Sequence, residues 1–313
     1  MIDTWVAPAV AWTFGGVVAL LVVASAIVGW IARGDRAVRH GELVSRVKSW
    51  WIMVAVFATA ILLSQTGAIV FFALLSFLAL KEYLSLVPTR RADRRVLFWV
   101  YLTVPLQFFW VYDRWYNMFL VFIPVWALLF VASRMVLRGE TRDFLRAVGI
   151  LHWGMITMVF ALSHLAYLLV LPEKLGDAQA GAGLLLFVVL LTQLNDVLQF
   201  VWGKLTGKHP VLPSVSPKKT VEGLVGAALT TTVLAVLIAP LLTPLSTAHA
   251  VAAGLMIGIG GFIGDVTISA LKRDLGVKDA GNLIPGHGGV LDRIDSLLFT
   301  GPVFFHFMKY FYY

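Results

Sequence analysis

Ten long apolar stretches, separated by short polar segments, dominate the pattern of this chain. They lie near residues 7–32, 49–64, 67–87, 96–112, 115–137, 147–171, 181–202, 221–243, 249–271 and 297–312. A helix crosses the hydrocarbon core of a bilayer in about 20 residues, with a lower limit of about 17. Isolated apolar runs of this length are not barrel strands, so each is predicted to be a helix. The second, fourth and tenth are short enough to be tilted or re-entrant, so nine spans are almost as well supported as ten.

The composition agrees with a chain that lies in a bilayer. Of its 313 residues, 59% are hydrophobic and 13% are charged, and the mean hydropathy is +0.86. Soluble globular proteins carry about 25% charged residues, so this chain has too little polar surface for an ordinary soluble enzyme. It is also too apolar for intrinsic disorder. The sequence therefore predicts an all-α, polytopic integral membrane protein with nine to ten transmembrane helices.

The cations are unevenly distributed along the chain. The formal net charge is +8, which in a soluble protein would raise nucleic acid as a partner. Most Lys and Arg residues, however, lie in alternate connections, namely 33–48, 88–95, 134–146, 203–220 and 272–296. The positive-inside rule predicts that these connections are cytoplasmic and that both termini lie outside. We therefore expect no nucleic-acid partner, and a bacterial inner membrane protein whose site faces the cytoplasm.

The absence of cysteine and the sequence of the N-terminus exclude some kinds of site and a cleaved signal peptide. Cysteine is absent, which excludes disulfides, thiolate metal ligands and cysteine nucleophiles. Asp3 lies where a signal peptide needs cations, and the apolar run that follows is longer than a signal-peptide core. The first stretch is therefore predicted to be a retained span.

The connections 203–220 and 272–296 contain more varied polar residues than the other three. They mix Lys and Arg with Asp, Ser, Thr, Gly and His. Mg²⁺ prefers carboxylates together with substrate phosphates, and Lys and Arg neutralise phosphate charge. This combination indicates a site for phosphoryl or nucleotidyl transfer. It divides the chain into N-terminal spans without an assigned role, 1–180, and a catalytic membrane region, 181–313.

Two acidic residues outside these connections keep two interpretations each. Asp196 shares a helix face with Gln193 and Gln199, and these three residues either line the site or hydrogen-bond between helices. Glu82 follows Lys81 near the inner end of the third stretch. This pair forms either a buried ion pair or a contact with the site.

The end of the first varied loop suggests a helix start. Ser216 and Pro217 suit the cap and the first position of a helix. Such an N-terminus, beside Lys218, Lys219 and Thr220, would favour an anion.

The second varied loop carries a recognisable motif. Residues 269–295 read S-A-L-K-R-D-L-G-V-K-D-A-G-N-L-I-P-G-H-G-G-V-L-D-R-I-D. They resemble the signature of the phosphatidate cytidylyltransferase (CDP-diacylglycerol synthase) family: S-x-hydrophobic-K-R, four residues, K-D, and later P-x-H-G-G-x-x-D-R-x-D. Residues 216–223 resemble the S-P-x-K-T-x-E-G element of that family, and Asn195-Asp196 with the glycines downstream resembles the stretch before it. The N-terminal half resembles the family in hydropathy alone.

The resemblance implies a reaction in which CTP and phosphatidate give CDP-diacylglycerol and pyrophosphate, with Mg²⁺ as cofactor. The attacking phosphate oxygen is already an anion, so catalysis would depend on positioning and charge neutralisation rather than on a general base. By resemblance, Asp265 and Asp292 are the expected metal ligands. Asp196 and Asp295 are further candidates, with pairing to Arg293 as the alternative for Asp295, and a second metal ion stays open.

The remaining site residues also follow from the resemblance. The expected catalytic residues are Asp265, Asp292, Lys272, Arg273, Lys278 and Asp279. The expected contacts with CTP or the lipid phosphate are Asp196, Ser216, Lys218, Lys219, Thr220, Glu222, His287, Gly288, Gly289 and Arg293. Pairing with Asp274 or Asp279 is the alternative for the basic residues 272–278, and a turn-holding role is the alternative for His287. The expected partners are CTP, phosphatidate and membrane lipids, with a homodimer left open.

Three positions depart from the common pattern of the family. Ile268 stands where the family commonly has Glu, and Asn195 and Gln199 differ from its commonest residues around Asp196. A paralogue acting on another lipid phosphate is therefore one alternative. A catalytically silent lipid-binding homologue is another, and a cation-coupled transporter using Asp196 and Asp265 is a third.

Overall fold

The first half of the chain consists of apolar helices joined by short connections. The computed structural model describes residues 5–31, 41–172, 179–281 and 288–313, with the side chains of residues 41 and 42 left out. The helices of this half are α1 (Pro8–Ile31), α2 (Gly41–Leu63), α3 (Gln65–Leu86), α4 (Val96–Tyr112), α5 (Tyr116–Val121), α6 (Leu128–Val136), α7 (Phe144–Gly154) and α8 (Leu162–Leu168). The π-helical turns Phe122–Ala127 and Met155–Ala161 join α5 to α6 and α7 to α8. Pro124 lies in the first of these turns, where it cannot donate a backbone hydrogen bond.

The second half contains the loops that carry the candidate chemistry. Its elements are α9 (Ala180–Thr206), β1 (Pro210–Leu212), β2 (Ser216–Thr220), α10 (Val221–Leu242), α11 (Thr247–Asp274), α12 (Leu291–Ile294) and α13 (Leu297–Phe311). Each of the ten predicted apolar stretches coincides with a helix or with a pair joined by a π turn. The all-α prediction is confirmed, and the exception within the described residues is the short hairpin of β1 and β2.

Eight helical segments in the described part of the chain are long and apolar enough to cross a membrane. The helix Val96–Tyr112 has 17 residues and α13 has 15. The exposed surface is apolar as well: on α10, Leu229, Val233, Leu237 and Leu241 lie one turn apart, and each is at least 59% exposed. Such a stripe suits contact with lipid tails rather than water. The protein is therefore a polytopic membrane protein, and the number of ten spans and the position of the termini stay predictions.

Small residues let the helices of the second half approach closely. A methyl group built on Gly258 of α11 would lie 2.8 Å from the Ala228 Cα of α10. One built on Gly264 would lie 2.5 Å from the carbonyl oxygen of Asp295, at the start of α13. These contacts bring α10 and the 291–296 segment against the C-terminal half of α11, where Asp265 lies.

The predicted helix start at Ser216 and Pro217 is wrong. Residues Ser216–Thr220 form β2, which pairs antiparallel with β1, and α10 begins at Val221. Thr220 supplies the N-cap instead, because its hydroxyl accepts a hydrogen bond from the Gly223 backbone N–H at 3.1 Å. Both Ser216 and Thr220 have side chains that can cap a helix. Because residues 216–220 pair with β1, the helix begins after Thr220, which is therefore the cap.

The hairpin fixes where the two adjacent lysines point. Glu222 accepts hydrogen bonds from the backbone N–H groups of Lys208 and His209, and its other oxygen lies 2.6 Å from the His209 ring. Successive residues of a strand point to opposite faces. Lys218 is accordingly exposed, whereas the Lys219 side chain is only 19% exposed and points towards α9 and α11.

Candidate active site

An ion pair joins the hairpin to the C-terminal half of α11. The Lys219 ammonium lies 2.5 Å from Asp265 Oδ2 and donates to Gln199 Oε1 at 2.6 Å. The other Asp265 oxygen accepts a hydrogen bond from the Ser269 hydroxyl at 3.2 Å. Lys219 also lies over the ring of Phe262, 5.7 Å from its centre. Residues from β2, α9 and α11 therefore meet at Asp265, although they are far apart in sequence.

A second ion pair organises the loop that follows α11. Lys272 Nζ lies 2.6 Å from Asp292 Oδ1, and both side chains are largely buried. The other oxygen, Oδ2, accepts hydrogen bonds from the backbone N–H groups of Ala280, at 2.9 Å, and Gly289, at 3.0 Å. Gly288 has a φ of +81°, and a methyl group there would lie 2.6 Å from Asp292 Oδ2. One carboxylate thus holds the two described ends of the loop together.

Two further carboxyl groups, Asp196 and Asp295, lie close to Asp265, and the three form what we call the acidic cluster. Burial raises the pKa of Asp295 well above its usual range, and the negative charges of Asp265 and Asp196 raise it further. Ser296 connects the cluster, because its backbone N–H donates to Asp295 Oδ1 at 2.8 Å and its hydroxyl lies 3.0 Å from Asp196 Oδ1. These carboxylates come from α9, α11 and the start of α13, and their repulsion calls for nearby positive charge.

The donor atoms of the acidic cluster fit a hard cation. Carboxylate oxygens are the protein ligands that Mg²⁺ prefers, with water and substrate phosphates completing its coordination. Among the described residues, no three Asp, Glu, His or Cys side chains are already arranged as a metal site. Lys219 occupies one oxygen of Asp265, and Lys272 with two backbone N–H groups occupies both oxygens of Asp292. The cluster therefore suits a cation that enters together with a phosphate ligand, whereas Asp292 is already fully hydrogen-bonded.

The site elements share one side of the helix layer. The contacts described above join the C-terminal parts of α9 and α11 to the starts of α10 and α13. The C-terminal end of α3 lies on the same side, since Glu82 Oε2 accepts a hydrogen bond from the Leu291 backbone N–H at 2.7 Å. All these ends adjoin the predicted cytoplasmic connections.

Other predicted residues lie at the edges of this arrangement. Arg273 Nε donates to the Val215 carbonyl oxygen at 3.2 Å and so ties α11 to the hairpin turn. Arg293 is within electrostatic range of Asp196, and its buried Nε has no hydrogen-bond partner among the described residues. Among the other predicted site residues, Ser216 lies in β2. Thr220 caps the start of α10, and Glu222 joins that helix to the backbone of Lys208. Lys278 and Asp279 are exposed. His287 lies outside the described residues.

The structure also decides some of the open alternatives. Lys272 pairs with Asp292 and not with Asp274 or Asp279. Asp295 makes no ion pair with Arg293 in the described part of the chain, where it instead accepts from Ser296. Whether any of the predicted residues binds substrate or metal stays a prediction.

Two polar groups at the site, Ser269 and Ser296, were not among the predicted site residues. For two others, Gln199 and Glu82, a place at the site was one of two interpretations. Ser269 is the first residue of the motif 269–295, and Ser296 follows its last residue directly. Glu82 was the harder case, because the sequence left both a buried ion pair and a site contact open. Lys81 is exposed, and the Glu82 carboxylate contacts the loop.

This chain is similar to proteins of two kinds. One is the Uncharacterized protein YnbB of Escherichia coli (strain K12), which is 46% identical over 292 residues, covering 93% of this chain and 96% of YnbB. The other group consists of phosphatidate cytidylyltransferases. That of Staphylococcus saprophyticus is 36% identical over 124 residues, 39% of this chain and 48% of that protein. Phosphatidate cytidylyltransferase 4 of Arabidopsis thaliana, a chloroplastic protein, is 41% identical over 137 residues, 43% of this chain and 35% of that protein.

The match to a whole protein family is longer than either of these partial alignments. A model of the cytidylyltransferase family matches residues 44–311, which include α3 and every residue of the two ion pairs and the acidic cluster. The chain therefore belongs to the cytidylyltransferase family.

Proposed function

We propose that this protein transfers a cytidylyl group from CTP to phosphatidate, giving CDP-diacylglycerol and pyrophosphate. The observation that carries the proposal is the meeting of the acidic cluster with the largely buried ammonium groups of Lys219 and Lys272, beside an apolar cavity that Arg293 lines. The family assignment supports cytidylyl transfer, and the names of the partial relatives support phosphatidate as the acceptor.

The chemistry requires two polyanions to approach each other. An oxygen of the lipid phosphate attacks the α-phosphorus of CTP, a new P–O bond forms, and the bond to the β-phosphate oxygen breaks as pyrophosphate leaves. The nucleophile needs no deprotonation, so the protein must chiefly offset repulsion and align the reacting atoms. Lys219, Lys272 and Arg293 are the cations best placed to do so.

The acidic cluster provides the complementary part of the site. Asp196, Asp265 and Asp295 would hold Mg²⁺ between them, with Ser296 and Ser269 orienting the carboxylates by hydrogen bonds. When bound, Mg²⁺ would neutralise charge on the transferred phosphate. Lys219 would hold the Asp265 carboxylate in place until the nucleotide arrives.

The lipid side of the proposal rests on an apolar cavity of about 480 Å³. It lies between α1, α2, α3, α9 and α12, and its only polar lining residues among those described are Gln193 and Arg293. An acyl chain needs apolar walls, and its phosphate needs a cation at the end of the cavity. Because Arg293 lies near Asp196, a lipid held in this cavity would present its headgroup to the acidic cluster.

Purified protein in mixed micelles with CTP and Mg²⁺ tests the proposal. Phosphatidate is expected to be converted to CDP-diacylglycerol, with one pyrophosphate released per lipid, as measured by mass spectrometry and a pyrophosphate assay. Lysophosphatidate, a polyprenyl phosphate and a no-lipid control run in parallel. A product from another lipid phosphate alone would assign that substrate instead. No cytidylylated lipid from any acceptor would contradict the proposal and favour a binding or transport protein.

We also propose that the site faces the cytoplasm of a bacterial inner membrane. The five basic connections support this orientation, and it is the side on which CTP is available. Alkaline phosphatase fused after Tyr313 is expected to be active, because an even number of spans with an external N-terminus puts the C-terminus outside. An active cytoplasmic reporter at the same junction, with an inactive phosphatase, would contradict the ten-span topology.

A further inference from the structure

Glu82 is a carboxylate of the N-terminal helices that reaches the loop of the second half. It lies in the last turn and a half of α3, and its Oε2 accepts a hydrogen bond from the Leu291 backbone N–H at 2.7 Å. In the described part of the chain no Lys or Arg forms an ion pair with it, and its sequence neighbour Lys81 is exposed. Backbone N–H groups of the loop therefore satisfy this carboxylate.

Two glycines leave the space that the Glu82 carboxylate fills. A methyl group built on Gly281 or on Gly289 would overlap Glu82 Oε1, and neither glycine has the positive φ that would by itself demand glycine. Gly289 also donates its N–H to Asp292, and Ala280, next to Gly281, donates to the same oxygen. The Glu82 and Asp292 carboxylates thus hold the same two chain segments from two sides.

We infer that Glu82 is a positioning residue, which fixes the segments around Gly281 and Gly289 so that Asp292, Lys272 and Arg293 are aligned. The N-terminal helices then contribute to the site directly and not only as membrane anchors. The effect on catalysis rests on the proposed function, whereas the effect on the loop does not. The expected consequence is that removal of the Glu82 carboxylate loosens the loop without unfolding the protein.

The steric argument allows a test by compensation. Gly281→Ala alone forces a methyl group into the Glu82 carboxylate, so we expect CDP-lipid synthesis to fall about tenfold or more. Glu82→Ala alone removes the anchor and is expected to cost a similar factor. In the double variant the alanine has room, so its activity is expected to match that of Glu82→Ala and not the product of the two losses. Multiplicative losses would overturn the inference.

The matched controls separate this role from general damage. Gly149→Ala adds the same methyl group on α7, where nothing lies within 4 Å, and Lys81→Gln changes the exposed neighbour of Glu82. Both are expected to keep wild-type activity. Glu82→Asp keeps the charge but shortens the side chain, so an intermediate loss is expected. It provides a milder variant if Glu82→Ala elutes as aggregate in size-exclusion chromatography.

A spectroscopic measurement tests the loop independently of any reaction. The chain has no cysteine, so Lys278→Cys offers a single exposed site for a nitroxide spin label. Glu82→Ala and Glu82→Asp are expected to increase the mobility of this label, and Lys81→Gln is expected to leave it unchanged. An unchanged label in both Glu82 variants would overturn the inference. A mobile label in the Glu82 variants, together with no CDP-lipid from the unlabelled wild-type protein, would support the positioning role and contradict the proposed function alone.

Discussion

Asp265→Asn is expected to lower the rate of CDP-diacylglycerol synthesis about 10²-fold or more while the protein still inserts and purifies as a monodisperse species. Asparagine is nearly the same size, its oxygen can accept from Lys219, and its NH2 group can donate to the Ser269 hydroxyl oxygen, so packing around this position in α11 is expected to survive. The negative charge is lost, and with it the central member of the acidic cluster. Single groups that stabilise charge in a transition state are commonly worth about 10²–10³ in rate.

A control on the same helix and a metal titration make this prediction specific. Asp274→Asn changes an exposed carboxylate at the end of α11 and is expected to leave the rate unchanged. The residual activity of Asp265→Asn is expected to need more Mg²⁺ for half-saturation than the wild type does. A wild-type rate at the same Mg²⁺ concentration would remove Asp265 from the metal site.

Lys272→Met is expected to impair folding stability and activity together. It leaves the Asp292 carboxylate buried without its ion-pair partner, and breaking one side of a buried pair costs about 3–5 kcal/mol. The loss of stability is measured by heating the protein in detergent to a series of temperatures and determining the remaining monodisperse fraction by size-exclusion chromatography. The expected result is a clearly lower unfolding temperature and no detectable CDP-lipid.

The double variant Lys272→Met/Asp292→Asn separates the two effects. A neutral asparagine needs no ammonium partner, and its oxygen can still accept from the Ala280 and Gly289 N–H groups. We expect most of the lost stability to return, because the unpaired buried charge is gone. Activity is expected to stay absent, since both charged side chains are missing. Recovery of activity with stability would show that this pair is structural only.

The membrane helices could be predicted from the sequence because length and hydropathy alone decide them. Each apolar stretch near 221–243 or 249–271, for example, must satisfy its backbone groups internally, and a helix does so. The hairpin could not be predicted in the same way. Ser216 and Thr220 are equally good caps, and the pairing of β1 with β2 chooses between them.

The residue types of the two loops allowed the chemistry of the site to be predicted from the sequence. The geometry of the site could not be predicted, because it depends on contacts between distant segments. The sequence identified Lys219 and Asp265 as functional candidates but not as partners, since they lie on β2 and α11. Asp292 was expected among the metal ligands, and the structure shows its oxygens bound by Lys272, Ala280 and Gly289. Its role as a metal ligand stays a prediction.

The division of the chain at residue 180 also stays a prediction. It coincides with the start of α9 at Ala180, and the motifs lie beyond it. The two halves are nevertheless joined at the site. Glu82 of α3 contacts Leu291, and the apolar cavity has walls from α1, α2 and α3 as well as from α9.

The most direct test of the account is the fate of the CTP phosphates. Two parallel reactions contain the purified protein, phosphatidate and Mg²⁺, one with CTP labelled in the α-phosphate and one with CTP labelled in the γ-phosphate. Cytidylyl transfer predicts that the α label appears in the lipid and that the γ label appears only in pyrophosphate. Absence of the α label from the lipid, or presence of the γ label in it, would contradict cytidylyl transfer.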